Sequence, residues 1–212
     1  MTTKAVGITN LTDARYFAAQ GVTWMHFDFR ETSPQFIPLI QANAIMDWVG
    51  GVKFIGQWDT NDVEELNRFL HNTKLKAVQI EEDFPIDAIA YIDTETIFRK
   101  FFIDERTTLH NLQQLIEKSA FESKIVSEIV APHHTFENIF LFNKKIIFED
   151  FINLTGQFPV SLDINFSIKD LPQIAPLNLN TLCLHGGDEE RIGIKSYDEL
   201  DEIFEEISRL VG

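Results

Sequence analysis

The residues able to do chemistry sit at the ends of short alternating segments. In 24–29, His26 and Asp28 share one face, and Met25, Phe27 and Phe29 the other. Gln79 and Glu81 align in the same way, as do Ser161, Asp163 and Asn165. Cys183 and His185 oppose Leu182 and Leu184, and Lys53, Gln57 and Asp59 can face together. Side chains alternate sides along a strand. The apolar sets should therefore pack outward, leaving His26, Asp28, Gln57, Glu81, Asp163, Asn165 and His185 around one mouth. Carboxylates beside imidazoles are the groups of general acid–base catalysis, with Asp28, Glu81 or Asp163 paired to a histidine. The same ring could bind a polar small molecule, or its members could simply satisfy one another. Metal binding is a poorer fit, because donors spread over four strands lack a local ligand spacing. No metal and no cofactor is expected.

Elements that place such a ring can be read between these residues. Apolar or alternating runs predict strands at 4–8, 24–29, 52–58, 76–81, 97–103, 138–143, 159–164 and 181–185. Helical patterns fall between them, at 12–20, 36–49, 61–72, 86–91, 107–121, 145–154, 168–175 and 197–210. The segment 125–136 reads as strand or loop. Thr9, Asn10 and Thr12 are all suited to cap the first helix. Eight strand–helix units without a linker argue for one (β/α)8 barrel domain over residues 1–212, a closed parallel sheet of the α/β class. No G-x-G-x-x-G follows a strand, which argues against a dinucleotide-binding domain of that type.

Composition narrows the partners. The formal net charge is −15, from 33 acids and 18 bases. Nucleic acid and anionic membranes need Lys and Arg, so neither is expected. The acids crowd into 198–206, which reads as a solvated helix face. A small phosphorylated ligand stays open, since a pocket of backbone N–H groups binds phosphate whatever the global charge. Nineteen Phe suggest a thick layer between barrel and helices. The lone Cys183 rules out an intrachain disulfide and reads as a buried thiol. Residues 1–20 lack a signal-peptide core, and a cytoplasmic monomer or homodimer is expected. His133-His134 after Pro132 reads as a surface loop pair, and His71 and His110 as solvated.

Several short motifs occur in a telling order. Lys4-Ala5-Val6-Gly7-Ile8-Thr9 precedes Asp13-Ala14; Ser33-Pro34, Val52-Lys53-Phe54-Ile55-Gly56, Val78-Gln79-Ile80 and Gly193-Ile194-Lys195 follow. In order and spacing they resemble phosphoribosylanthranilate isomerase, the barrel enzyme of tryptophan biosynthesis, most strongly over 4–81. The resemblance implies an Amadori rearrangement of an aminosugar phosphate, in which a carboxylic acid protonates the ring oxygen and a Cys removes the C2 proton. The family's Cys position is Val6. Its acid, at the end of the sixth strand, falls on Asn143 of Leu141-Phe142-Asn143. Gln35 replaces an Arg, Glu81 a His, and Asp163-Ile164-Asn165-Phe166 a glycine-bearing A-G-G-L. Gly186-Gly187 remain as the expected phosphate contacts, and a sugar phosphate is thus the ligand class implied. Loss of each proton-transfer group costs roughly 10²–10⁴ in rate, so weak or absent isomerase activity is expected. The alternatives are a different small-metabolite enzyme using the acidic mouth, with His26, Asp28, Glu81, Asp163 and His185 as replacement acids and bases, or a non-catalytic binding protein.

Overall fold

The computed structural model describes residues 1–104, 106–120, 122–142, 146–186, 189–191 and 194–211. Eight strands close into one parallel ring: β1 (Thr2–Val6), β2 (Trp24–Asp28), β3 (Lys53–Gln57), β4 (Leu75–Ile80), β5 (Thr96–Phe102), β6 (Ile125–Thr135), β7 (Val160–Asn165) and β8 (Thr181–His185). Closure runs through β1 and β8, registered from Thr2 opposite Thr181 to Val6 opposite His185. Between the strands lie α1 (Leu11–Ala19), α2 (Leu39–Trp48), α3 (Val63–His71), α4 (Ile86–Ile89), α5 (Leu109–Ser119), α6 (Phe148–Gln157) and α7 (Leu171–Ile174); α8 (Asp198–Val211) follows the ring. The (β/α)8 expectation is met. None of the described helices is long and apolar enough to cross a membrane.

Local chemistry explains the helix starts. Of the three capping candidates, Asn10 is the one used, accepting from the Asp13 amide at 2.9 Å. Asp62 and Thr108 accept from first-turn amides of α3 and α5 in the same way. Gly7 turns the chain out of β1 at φ +67°, and a Cβ there would lie 2.2 Å from the Gln35 side chain. Only glycine suits both demands.

Two apolar regions hold the ring. The layer between barrel and helices contains Phe17, Phe27, Phe101, Phe136 and Phe151, all buried, as the phenylalanine content suggests. Inside the ring, Trp24, Ile55, Ala77, Phe98 and Val126 plug the half nearer the strands' N-terminal ends. Lys53 shares the inward face with Gln57 but lies at the opposite, exposed end of the plug, over the Trp24 ring and 3.7 Å from Glu95. α8 is fastened to α1 by two phenols: Tyr197 donates to Asp13 at 2.5 Å and Tyr16 to Asp201 at 2.7 Å, with their rings stacked 3.9 Å apart.

The sixth strand corrects the sequence reading. It is 125–135, and Asn138–Phe142 forms a π-helical turn after it. Short apolar runs do not distinguish strand from helix by pattern alone. Asn-Ile-Phe-Leu-Phe looked the better strand because Ser127 and Glu128 interrupt the true one. The assignment of the family acid to Asn143 loses its basis, and Asn143 itself lies outside the described residues. His133 and His134 fall within β6, not in a loop. Pairing with β7 shifts there, passing from Ala131 opposite Ile164 to Thr135 opposite Asn165.

Candidate active site at the barrel mouth

Above the apolar plug the barrel interior is charged. Lys4 on β1 is fully buried and bonds Glu128 on β6 and Gln79 on β4, each at 2.5 Å. Burial favours loss of its proton, but Glu128 outweighs burial and raises the Lys4 pKa. Gln79 donates to Gln57 at 3.2 Å, and Gln57 donates to Glu81 at 2.6 Å. Lys100 reaches the Gln57 carbonyl at 3.3 Å. Side-chain amides thus link the barrel centre to its rim.

At the β2–β4 side that rim is closed by Arg30. Its guanidinium grips Asp28 through Nε and Nη2 at 2.9 and 2.7 Å and reaches Glu81 through Nη1 at 2.7 Å. Burial would push Asp28 up; bonds from Arg30 and Ser33 prevail and hold it below the usual carboxylate range. His26 beneath accepts from the Gly7 amide at Nδ1, 3.3 Å away, and Nε2 meets Gln57 at 3.2 Å. Such bonding calls for a neutral ring with its proton on Nε2. Burial, then Lys4 and Lys100, push its pKa well below 6.5. His26, Asp28 and Glu81 are therefore brought together, but in a satisfied network with a bound cation of its own.

The β7–β8 side differs. Asp163 is buried and His185 half-exposed, 2.6 Å apart between Oδ1 and Nε2. Burial opposes charge on both, yet the bond between them wins, lowering Asp163 and raising His185 above 6.5. The contact thus favours the charged forms of both groups, carboxylate and imidazolium, against the cost of burial. Val6, apolar and buried, stands opposite His185 across the β1–β8 ladder. A cleft of about 510 Å³ opens here between the ends of β7 and β8 and the start of α8. Asn165, Cys183, His185, Gly186, Ser196, Asp198 and Glu199 are among its lining residues. Gly186 is thus where a ligand could touch it; Gly187 lies outside the described residues. No Lys or Arg lines the cleft among the described residues.

Glu128, Asp163 and Cys183 offer donor atoms within 4.8 Å of one another, the spacing of a possible metal centre. Glu128, however, already holds the Lys4 ammonium, and burial beside Glu128 keeps the Cys183 thiol protonated. A divalent ion would have to displace or face that ammonium. The donor set does not fit a metal while Lys4 is in place.

Asp163, His185, His26, Asp28 and Glu81 were legible in the sequence; Lys4, Lys100, Glu128 and Arg30 were missed. Lys4 and Lys100 had a usable signal: each shares parity with inward residues, Val6 and Phe98. Arg30 had none, since it lies beyond its strand and folds back.

A closed ring of eight parallel strands, with its polar side chains at the carboxyl ends, defines the (β/α)8 barrel proteins. Within that class, the chain is similar in structure to phosphoribosyl anthranilate isomerase from Thermotoga maritima, at TM-score 0.76 and 17% identity over 99% of this chain and 100% of that one. The enzyme of the same name from Thermus thermophilus matches at TM-score 0.72 and 20% identity, again over 99% and 100%. KGPDC from Streptococcus mutans matches at TM-score 0.62 and 12% identity over the whole of both chains. At these identities the likeness is one of fold. No family model matches the sequence. No curated protein matches it either.

Proposed function

We propose that this chain is a phosphoribosylanthranilate isomerase-like barrel protein of the cytoplasm whose isomerase activity is weak or absent. One observation carries the reading. Val6 ends β1 at the mouth, where the sequence resemblance expects the proton-abstracting Cys, and its side chain can neither give nor take a proton. The full-length match to isomerase barrels supports the scaffold. The departures at Gln35 and at Ile164 and Asn165 support a changed ligand site, with a small molecule, a sugar phosphate or another polar metabolite, entering the β7–β8 cleft. The direct test is isomerisation itself, followed as loss of the fluorescence of the anthranilate adduct, or rescue of a tryptophan auxotroph. The expected result is no rescue and a rate at least about 10²-fold below a competent isomerase, the lower cost of losing one proton-transfer group. Full rescue would overturn the reading.

A second reading, a different small-metabolite enzyme, is favoured by the Asp163–His185 pair. Asp163 orients the ring and holds its proton at Nε2, leaving Nδ1 as the nitrogen that exchanges a proton with a ligand in the cleft. The Arg30 clamp, which occupies the opposite half of the mouth, favours a third, a non-catalytic binding protein. His185→Gln separates them: it abolishes turnover of a substrate in the second and leaves binding in the third.

A further inference from the structure

Lys100 on β5 is buried inside the barrel, where it reaches Gln57. Other cations of the interior each hold a carboxylate: Lys4 holds Glu128, Arg30 holds Asp28 and Glu81, and His185 holds Asp163. Lys100 makes no ion pair among the described residues. Its hydrogen bond is the 3.3 Å contact to Gln57 Oε1, an oxygen that also receives Gln79 and meets His26 Nε2, both at 3.2 Å. A carbonyl oxygen has two lone pairs and here faces three donors, while an ammonium has three N–H bonds to place. Most of the capacity of Lys100 is therefore unused, and a buried charge in that condition costs stability.

Glu128 stands directly across the β5–β6 ladder from Lys100. Its Oε2 takes the Lys4 ammonium, with Ser161 Oγ at 3.4 Å and Cys183 Sγ at 3.7 Å. Its Oε1 is buried and has no donor among the described residues. A cation short of acceptors and a carboxylate oxygen short of a donor are thus neighbours on adjacent strands. Cys183 also lines the β7–β8 cleft, which puts Glu128 one side chain behind the cleft wall.

We propose that Lys100 and Glu128 form a subsite for a hydroxyl group of the ligand, whose oxygen accepts from Lys100 and whose proton is donated to Glu128 Oε1. The inference rests on the reading above that a small polar molecule enters the mouth, and it narrows that molecule to a polyhydroxylated one, a sugar or polyol. Charge selects the hydroxyl. A carboxylate or phosphate would satisfy Lys100 but be repelled by Glu128 Oε1. An ammonium group would satisfy Glu128 but be repelled by Lys100, and a ketone oxygen would leave Glu128 without its donor. A hydroxyl both accepts and donates, and it brings no further charge into the interior. A cation kept unpaired against its cost in stability marks a residue retained for a ligand, because a purely structural position would be better filled by an apolar side chain.

Titration calorimetry of the whole chain with ribose 5-phosphate and with methyl phosphate, which lacks the sugar hydroxyls, tests the proposal. Ribose 5-phosphate should bind at least about 10-fold more tightly, the effect of hydrogen bonds to charged groups. Lys100→Met should abolish most of that advantage, and without ligand its urea midpoint should be no lower than that of the wild type. The ratio of the two affinities is the readout, since loss of a distant positive charge would weaken both probes alike. A ratio unchanged by Lys100→Met overturns the proposal, as does a lowered midpoint, which would make Lys100 a structural pillar. A crystal of the ribose 5-phosphate complex in which water alone joins Lys100 to Glu128 overturns it too. Failure of both probes to bind would remove the sugar-phosphate reading along with this subsite, whereas equal binding of the two would remove the subsite only.

Discussion

At the residue scale, the Lys4–Glu128 pair is the most exacting feature of the interior. Both side chains are fully buried, and neither charge is tolerable there alone. Lys4→Met should destabilise the fold by ~3–5 kcal/mol, the cost of an unpaired buried charge. Lys4→Met with Glu128→Leu should recover much of that loss, as urea midpoints will report. The two barrel histidines make opposite contributions with pH. His185, raised above 6.5 by Asp163, stabilises fully below about pH 6.5, and that contribution is lost as pH rises through its folded pKa. His26, held neutral well below 6.5, must stay uncharged while the unfolded chain takes up a proton. Its cost grows as pH falls below about 6.5, at up to ~1.4 kcal/mol per pH unit. Together they should give a stability maximum near pH 6.5. His26→Gln should flatten the acid limb and His185→Gln the alkaline limb in a pH series of thermal melts. A curve unchanged by both would contradict these assignments.

At the element scale, α8 matters because its start forms one wall of the cleft. Tyr197, just before it, and Tyr16 on α1 tie it down with one hydrogen bond each to Asp13 and Asp201. Both phenols are raised in pKa, first by burial and then by those carboxylates. Tyr197→Phe should cost about 1 kcal/mol, the net worth of a hydrogen bond, and should speed amide exchange in α8 more than in β1–β4. Uniform exchange across the chain would mean that the phenol is not a local tether. The sixth strand shows where element reading fails. The buried Glu128 that completes the ion pair is also the residue that hides β6 from a hydrophobic pattern, because its partner Lys4 is 124 residues away.

At the scale of the whole molecule, an excess of acids works against compactness. With 33 acids against 18 bases, self-repulsion should lower stability at low ionic strength. Moderate sodium chloride should raise the melting temperature by a few degrees, because a Debye length near 10 Å at 0.1 M screens the exposed charges. A melting temperature that falls with added salt would show that specific surface pairs outweigh the net repulsion. The barrel also divides its own mouth. One half is spent on the Arg30 clamp, and the other keeps Asp163 and His185 beside an open cleft.

The alternation of strands and helices, the position of every strand but the sixth, the closed ring and the inward direction of His26, Asp28, Asp163 and His185 were determined by the sequence alone. Alternation and capping are local rules, acting over a few residues. Which inward groups meet was decided only by the tertiary structure. Arg30 folding over Asp28 and Glu81, and Lys4 choosing Glu128, are contacts between residues that periodicity treats independently. Barrel closure sets those distances, and with them which carboxylates are already neutralised and which histidine remains able to move a proton.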